Sequence, residues 1–290
     1  MSQFGSHGLV WSGRFDADGF RTAVRMNAEA GYDLLEVPLM DPFAFDVTAG
    51  RAALDEHGTT IAASLGLSAA TDISGEDADA VAAGERLLTR AVDVISELGG
   101  EHLVGVIYGA MRKHDAPATA RGRQNGIEVL RRVADHASSA GVSLALEVVN
   151  RYETNIINTA RQGIAYVGEI GHANVGLHLD TYHMNIEESG LFEPFLDAAD
   201  VLRYVHIGES HRGYLGTGTV DFDATFRALA RIGYDGPIVF ESFSTAVVDA
   251  HLSNTLGVWR NLWDDNEDLG RHALAFMRGH ERAVETIALH

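Results

Sequence analysis

Four apolar runs in the second half of the chain each end on a side chain that can bind a cation. Ser143-Leu144-Ala145-Leu146 ends on Glu147, and Gly176-Leu177-His178-Leu179 ends on Asp180. Tyr204-Val205 ends on His206, and Pro237-Ile238-Val239-Phe240 ends on Glu241. A charged residue after an apolar run usually marks only the point where the chain reaches water. Four in succession, all oxygen or imidazole donors, are hard to explain that way. Three carboxylates crowded together without a cation would repel one another and bind protons more readily. A divalent ion removes that conflict, and three oxygens with one imidazole suit Mn²⁺, Mg²⁺ or Co²⁺ better than a thiolate-seeking ion.

More polar residues lie just beyond the same runs. Glu153 follows Glu147, His183 follows Asp180, and Arg212 follows His206. Each alone reads as a solvated loop residue. Together, on the rim that carries the donors, they read as a polar clamp for a small hydroxylated molecule. Gly216-Thr217-Gly218 reads as a turn before a helix capped by Asp221 or Asp223, rather than as a mobile rim loop. Trp259 and Trp263 stand at helical spacing and read as packing or subunit-contact residues.

Placing four donors on one rim requires a scaffold of adjacent strands, and the chain is patterned for one. Strands are expected over Phe4–Val10, Leu34–Pro38, Thr60–Leu65, His102–Ile107, Val142–Val148, Val175–Leu179, Leu202–Ile207 and Pro237–Phe240. Between them, helical spacing covers Asp16–Ala30, Thr48–His57, Ala78–Leu98, Thr119–Ala140, Thr159–Ile170, Leu191–Ala199 and Phe222–Ile232. From about Leu252 to the end the pattern is again helical, broken near Asp264-Asp265. Most of the helices stop at a glycine and the next strand starts within a few residues. Parallel neighbours need such helical crossovers. Eight units in 290 residues point to one (β/α)8 TIM-barrel domain over residues 1–290 with a C-terminal helical extension. An open doubly wound sheet would want a Gly-x-Gly-x-x-Gly turn after the first strand, and Ser6-His7-Gly8-Leu9-Val10-Trp11 lacks it. Barrel enzymes carry their chemistry at the C-terminal strand ends, where the four donors fall.

Composition narrows the classes further. A formal net charge of −19 repels phosphate backbones and anionic lipid, so neither nucleic acid nor membrane is an expected partner. The absence of cysteine excludes disulfides, thiolate metal sites and cysteine nucleophiles. Residues 1–10 lack the pattern of a signal peptide, and no apolar run reaches the ~18 residues of a membrane span. The expected location is cytoplasmic.

The strings ALEVVNRYE (145–153), HLDTYHMNIEE (178–188), HIGESHRGYLGTGTVDF (206–222), IGYDGPIVFESF (232–243) and GVWRNLW (257–263) resemble the D-tagatose 3-epimerase family. That family of sugar isomerase/epimerase TIM barrels includes the D-allulose (D-psicose) and L-ribulose 3-epimerases. HGLVWSG, LLEVPLMDP and SLGLS are similar to its D-allulose/L-ribulose branch. The resemblance implies that Glu147, Asp180, His206 and Glu241 hold the metal, Mn²⁺ first, with Mg²⁺ or Co²⁺ as alternatives. It implies that Glu147 and Glu241 are also the two acid–base carboxylates, and that Glu153, His183 and Arg212 hold the C1–C3 end of a ketose. The C4–C6 end would meet His7, Ser64, Gly66, Tyr108 and Met111. Inverting C3 means removing a proton acidified by the C2 carbonyl and returning one on the other face, which calls for two bases. The family further suggests a homodimer or homotetramer. An aldose–ketose isomerase or polyol dehydratase on the same barrel, and a non-catalytic sugar-binding protein, are the alternatives. A repair nuclease would need more histidines and a basic groove.

Overall fold

The computed structural model describes residues 3–248, 253–254 and 257–287. Eight strands close into a barrel in sequence order, each parallel to its neighbours: β1 (Gln3–His7), β2 (Leu34–Pro38), β3 (Thr60–Ser64), β4 (His102–Gly105), β5 (Ser143–Val148), β6 (Val175–Asp180), β7 (Leu202–Ile207) and β8 (Pro237–Phe240). The first helices are α1 (Ala17–Ala30), α2 (Val47–His57), α3 (Ala78–Glu97), α4 (Ala120–Ser139) and α5 (Ala160–Ile170). They are followed by α6 (Thr181–Glu187), α7 (Glu193–Asp197), α8 (Phe222–Ile232) and α9 (Asn266–Ile287).

Local chemistry sets these boundaries. Side-chain oxygens of Asp16, Asp46, Thr119, Thr159 and Asp221 accept first-turn amides of α1, α2, α4, α5 and α8. Gly31, Gly58, Gly171 and Gly233 end α1, α2, α5 and α8 in the left-handed conformation. The buried face of α1 is Phe20, Ala23, Val24 and Asn27, a helical stripe. Burying a side chain such as Phe20 contributes about 1.5–3 kcal/mol. Helix α9 returns to close the shell against α8 and α1, and the Tyr32 hydroxyl donates to the Gly270 carbonyl at 2.8 Å.

Inside the barrel, Leu34, Ala62, Val104, Ala145, Tyr204 and Val239 form a separate buried cluster that acts as a floor. Gly5 completes it on β1, because a Cβ there would lie 2.9 Å from the Val239 side chain and 3.0 Å from the Leu34 carbonyl. Strand side chains alternate, so the residue two positions further along each strand points the same way, one layer higher. Counting two from the floor gives His7, Glu36, Ser64, Val106, Glu147, His206 and Glu241, all polar but Val106. The barrel therefore changes from apolar to polar within one layer of its C-terminal end.

The boundaries differ from expectation in informative places. Strand β1 stops at His7, whose Nδ1 accepts the Leu9 amide and turns residues 8–10 into one turn of 3₁₀ helix. Strand β4 stops at Gly105 (φ 106°), where any Cβ would strike the Leu65 carbonyl oxygen at 2.5 Å. Helix α6 starts directly after β6, capped by Asp180, where only a loop was expected. Residues 257–263 are not helical, so Trp259 and Trp263 do not share a helix face. Residues 252, 255–256 and 288–290 of that expected helix lie outside the described residues, as do 249–251 before it.

Candidate metal centre and active site

The four strand-end donors converge. Glu147, Asp180, His206 and Glu241 each offer a ligand atom within 4.8 Å of the others, and all four side chains are buried. Their convergence follows from register. Asp180 is paired with His206 across β6 and β7, and Glu241 is tied to β7 through its amide, which donates to the Ile207 carbonyl at 3.1 Å. His206 Nδ1 lies 3.4 Å from Glu241 Oε2. His206 Nδ1 is buried with no hydrogen-bond partner among the described residues. Buried polar atoms are rarely left so, and three carboxylates plus one imidazole are a donor set for a hard or borderline divalent cation. The residues present therefore fit a divalent metal.

The guanidinium of Arg212 reaches into the cluster. Its Nη1 lies 2.9 Å from Asp180 Oδ2 and 2.5 Å from Glu241 Oε2, and its Nη2 lies 3.3 Å from His183 Nε2. Tyr182 lies under it, ring centroid at 3.9 Å, and Phe243 flanks it at 5.1 Å. The Arg212 backbone is left-handed, φ 62°, alone among the described non-glycine residues. Such a conformation costs of order 1–3 kcal/mol and persists where surroundings enforce it. Here the Ser242 hydroxyl donates to the Arg212 carbonyl at 2.5 Å, and the Trp263 indole donates to Ser242 at 2.8 Å. The Arg212 amide donates to the Glu209 carbonyl at 2.8 Å. The Glu209 carboxylate, fully buried, accepts the amides of Ser210, Gly216 and Val220 and so organises the β7–α8 loop. The Gly216–Gly218 segment is thus a tied turn leading into α8, whose cap is Asp221.

Electrostatics separates the two glutamates. Burial pushes the Glu147 carboxyl up, only partly opposed by His183. Burial also acts on Glu241, but Arg212 and His206 outweigh it and hold that carboxyl well below the usual range. Burial lowers the His183 imidazole's proton affinity, and Glu153, Glu147 and Asp180 more than restore it, leaving it raised. Asn150 joins two of the clamp residues, donating from Nδ2 to Glu153 Oε1 at 2.8 Å and lying 2.9 Å from His183 Nδ1.

A cavity of about 350 Å³ lies against Arg212, lined among others by Glu153, Tyr182, Phe243, Trp259 and Arg260. The remaining sequence candidates divide. His7 Nε2 lies 3.2 Å from Ser64 Oγ and 4.0 Å from Glu241 Oε1, placing His7 and Ser64 beside the cluster. Gly66 packs on Met111, with room for no more than a strained Cβ at 3.2 Å from its thioether. Tyr108 is fully buried and donates its hydroxyl to the Glu147 carbonyl at 2.8 Å, which ties it to β5. The residues that sequence reasoning passed over are Glu36, Asn150, Tyr182, Glu209, Ser242 and Phe243. For Glu36 a signal existed, a carboxylate inside the apolar run Leu34–Pro38.

A model of the xylose isomerase-like TIM barrel family matches residues 24–280. The chain is 62% identical over 288 residues to a ketose 3-epimerase of Arthrobacter globiformis, covering 99% of this chain and all of the relative. It is 53% identical over 276 residues to an L-ribulose 3-epimerase of Methylomonas sp., covering 95% and 96%. Among solved structures, a Methylomonas D-allulose 3-epimerase in complex with D-allulose superposes with a TM-score of 0.95 at 52% identity, covering 96% of this chain and 97% of that one. With the donors gathered at the C-terminal ends of a closed barrel and relatives matched end to end, the chain belongs to the ketose 3-epimerases within the xylose isomerase-like TIM barrel family.

Proposed function

We propose that the protein inverts C3 of free ketoses of the D-allulose/D-fructose, D-tagatose and L-ribulose type, with Glu147 and Glu241 exchanging the C3 proton. The observation that carries this reading is the pair itself. Two buried carboxylates, one on β5 and one just after β8, flank Asp180 and His206 at one end of the barrel. Their unlike surroundings suit one ionised and one protonated partner, as removal and return of a proton require. When bound, a divalent cation, with Mn²⁺ the expected ion, supplies Lewis-acid polarisation of the ketose carbonyl.

The chain's own groups do the rest. The ionised glutamate takes the proton from C3, leaving negative charge toward O2. Arg212 sets fixed positive charge beside that oxygen, with a planar fork that lysine would lack. The protonated glutamate then delivers a proton to the opposite face. Glu153 and His183, joined through Asn150, hold hydroxyls near the reacting carbon. Tyr182 and Phe243 give the cavity apolar walls. His7, Ser64, Gly66, Tyr108 and Met111 face the far end of the sugar. The expected assembly is a homodimer or homotetramer in the cytoplasm, and no described helix is long and apolar enough to cross a membrane.

A panel of D-allulose, D-fructose, D-tagatose and L-ribulose in deuterated buffer with Mn²⁺ tests the reaction class. Deuterium entering at C3 with formation of the C3 epimer is expected. Entry at C1 with an aldose product would instead make the protein an isomerase, and no exchange would make it a sugar-binding protein. Turnover confined to ketose phosphates would contradict the free-sugar assignment.

A further inference from the structure

We infer that Glu36 is a positioning residue for the metal centre, fixing the tautomer and ring orientation of His206 so that Nδ1 faces the ion. This rests on the metal reading of the Glu147–Asp180–His206–Glu241 cluster. Glu36 sits on β2, on the far side of β1 from Glu241, and is completely buried. Its Oε2 lies 2.6 Å from His206 Nε2. The other ring nitrogen, Nδ1, faces Glu241 and is the atom without a hydrogen-bond partner. A ligating imidazole nitrogen carries no proton, so the ring proton must sit on Nε2. Glu36 is the acceptor waiting for it. A carboxylate in that place also makes the ligating nitrogen more basic.

The second oxygen of Glu36 makes no hydrogen bond among the described residues and faces His7. His7 Nδ1 accepts the Leu9 amide at 3.2 Å, so a neutral His7 carries its proton on Nε2. That nitrogen points to Ser64 Oγ at 3.2 Å and to Glu36 Oε1 at 3.5 Å. The sequence candidate His7, with Ser64 on the same ring nitrogen, thereby also stands against the carboxylate behind the metal ligand. A buried carboxylate is expensive unless paired, and nothing in barrel packing asks for one at a layer where Val106 serves just after β4.

The test is metal affinity, measured by calorimetry with Mn²⁺ and with Co²⁺ on the metal-free protein and on Glu36→Gln and Glu36→Leu. Loss of such an outer partner typically weakens metal binding about 10–100-fold. The amide, which can still accept from Nε2, should fall near the lower figure and the leucine near the upper. The visible Co²⁺ bands should move in both variants, a change that a merely structural role would not produce. Far-ultraviolet circular dichroism establishes that each variant is folded; if the leucine variant is not, the glutamine variant decides. Folded variants that bind with parent affinity and an unchanged Co²⁺ spectrum overturn the inference alone. A parent protein that binds neither ion overturns the metal reading, and this inference with it.

Discussion

Replacing Arg212 by methionine keeps most of the side-chain length and removes the charge. The left-handed backbone at this position is as unfavourable for methionine as for arginine, so that cost cancels. What remains is the loss of a buried cation lying 2.9 Å from Asp180 and 2.5 Å from Glu241. Removing one member of a buried ion pair costs about 3–5 kcal/mol, because the partners stay buried and uncompensated. At about 2.1 cal/mol/K of unfolding entropy per residue, 290 residues give about 0.6 kcal/mol/K. The metal-free variant should therefore melt about 5–8 °C below the metal-free parent in a thermal scan followed by circular dichroism. Saturating Mn²⁺ should narrow that gap, since the ion neutralises the same two carboxylates. By linkage, the variant must then bind Mn²⁺ more tightly than the parent, about tenfold for each 1.4 kcal/mol of narrowing. Its kcat/KM for ketose should nonetheless fall, because positive charge beside the reacting oxygen is gone. A variant that binds Mn²⁺ more weakly than the parent would refute the idea that Arg212 and the ion share Asp180 and Glu241.

Chelation of the parent should abolish turnover and lower its melting temperature. The loss is about 2.7 kcal/mol relative to protein at a metal concentration of 100 Kd, read by adding EDTA and then Mn²⁺ or Co²⁺. Ser242→Ala frees the carbonyl of the left-handed Arg212 and leaves the Trp263 indole without its acceptor. It should lower kcat/KM and cost about 1–3 kcal/mol in urea unfolding while calorimetric metal affinity is kept. Tyr108→Phe removes the hydroxyl bonded to the Glu147 carbonyl, and about 1 kcal/mol of stability should go with it in the same assay.

The donors on β5 to β8 were legible because each of those apolar runs ends at or next to its ligand. Glu36 escaped the same rule because β2 continues through Val37 and Pro38, which hides a cavity-layer residue in mid-strand. Counting two positions from the floor residue Leu34 recovers it, but the floor is known only once the barrel registers are known. Helix α6 was missed because Asp180, read as a strand end, is also the cap that starts the helix through the Tyr182 amide. Trp259 and Trp263 misled through spacing alone. Trp263 packs into the core and bonds to Ser242, while Trp259 is 73% exposed at the cavity mouth. The left-handed Arg212 depends on contacts with Glu209 and with Ser242, itself held by Trp263, that no local pattern announces.

The central claim is that Glu147 and Glu241 carry the C3 proton, and its most direct measurement is C3 deuterium exchange in Glu147→Gln and Glu241→Gln with metal content determined alongside. Glutamine keeps an oxygen for the ion and cannot carry the proton. Each variant, metal-loaded, should lose at least the ~10²–10⁴-fold typical of general acid–base catalysis. Exchange at the parent rate in both metal-loaded variants would contradict the account: the two carboxylates would be ligands only, and the base would have to be Glu153 or another group on the same rim.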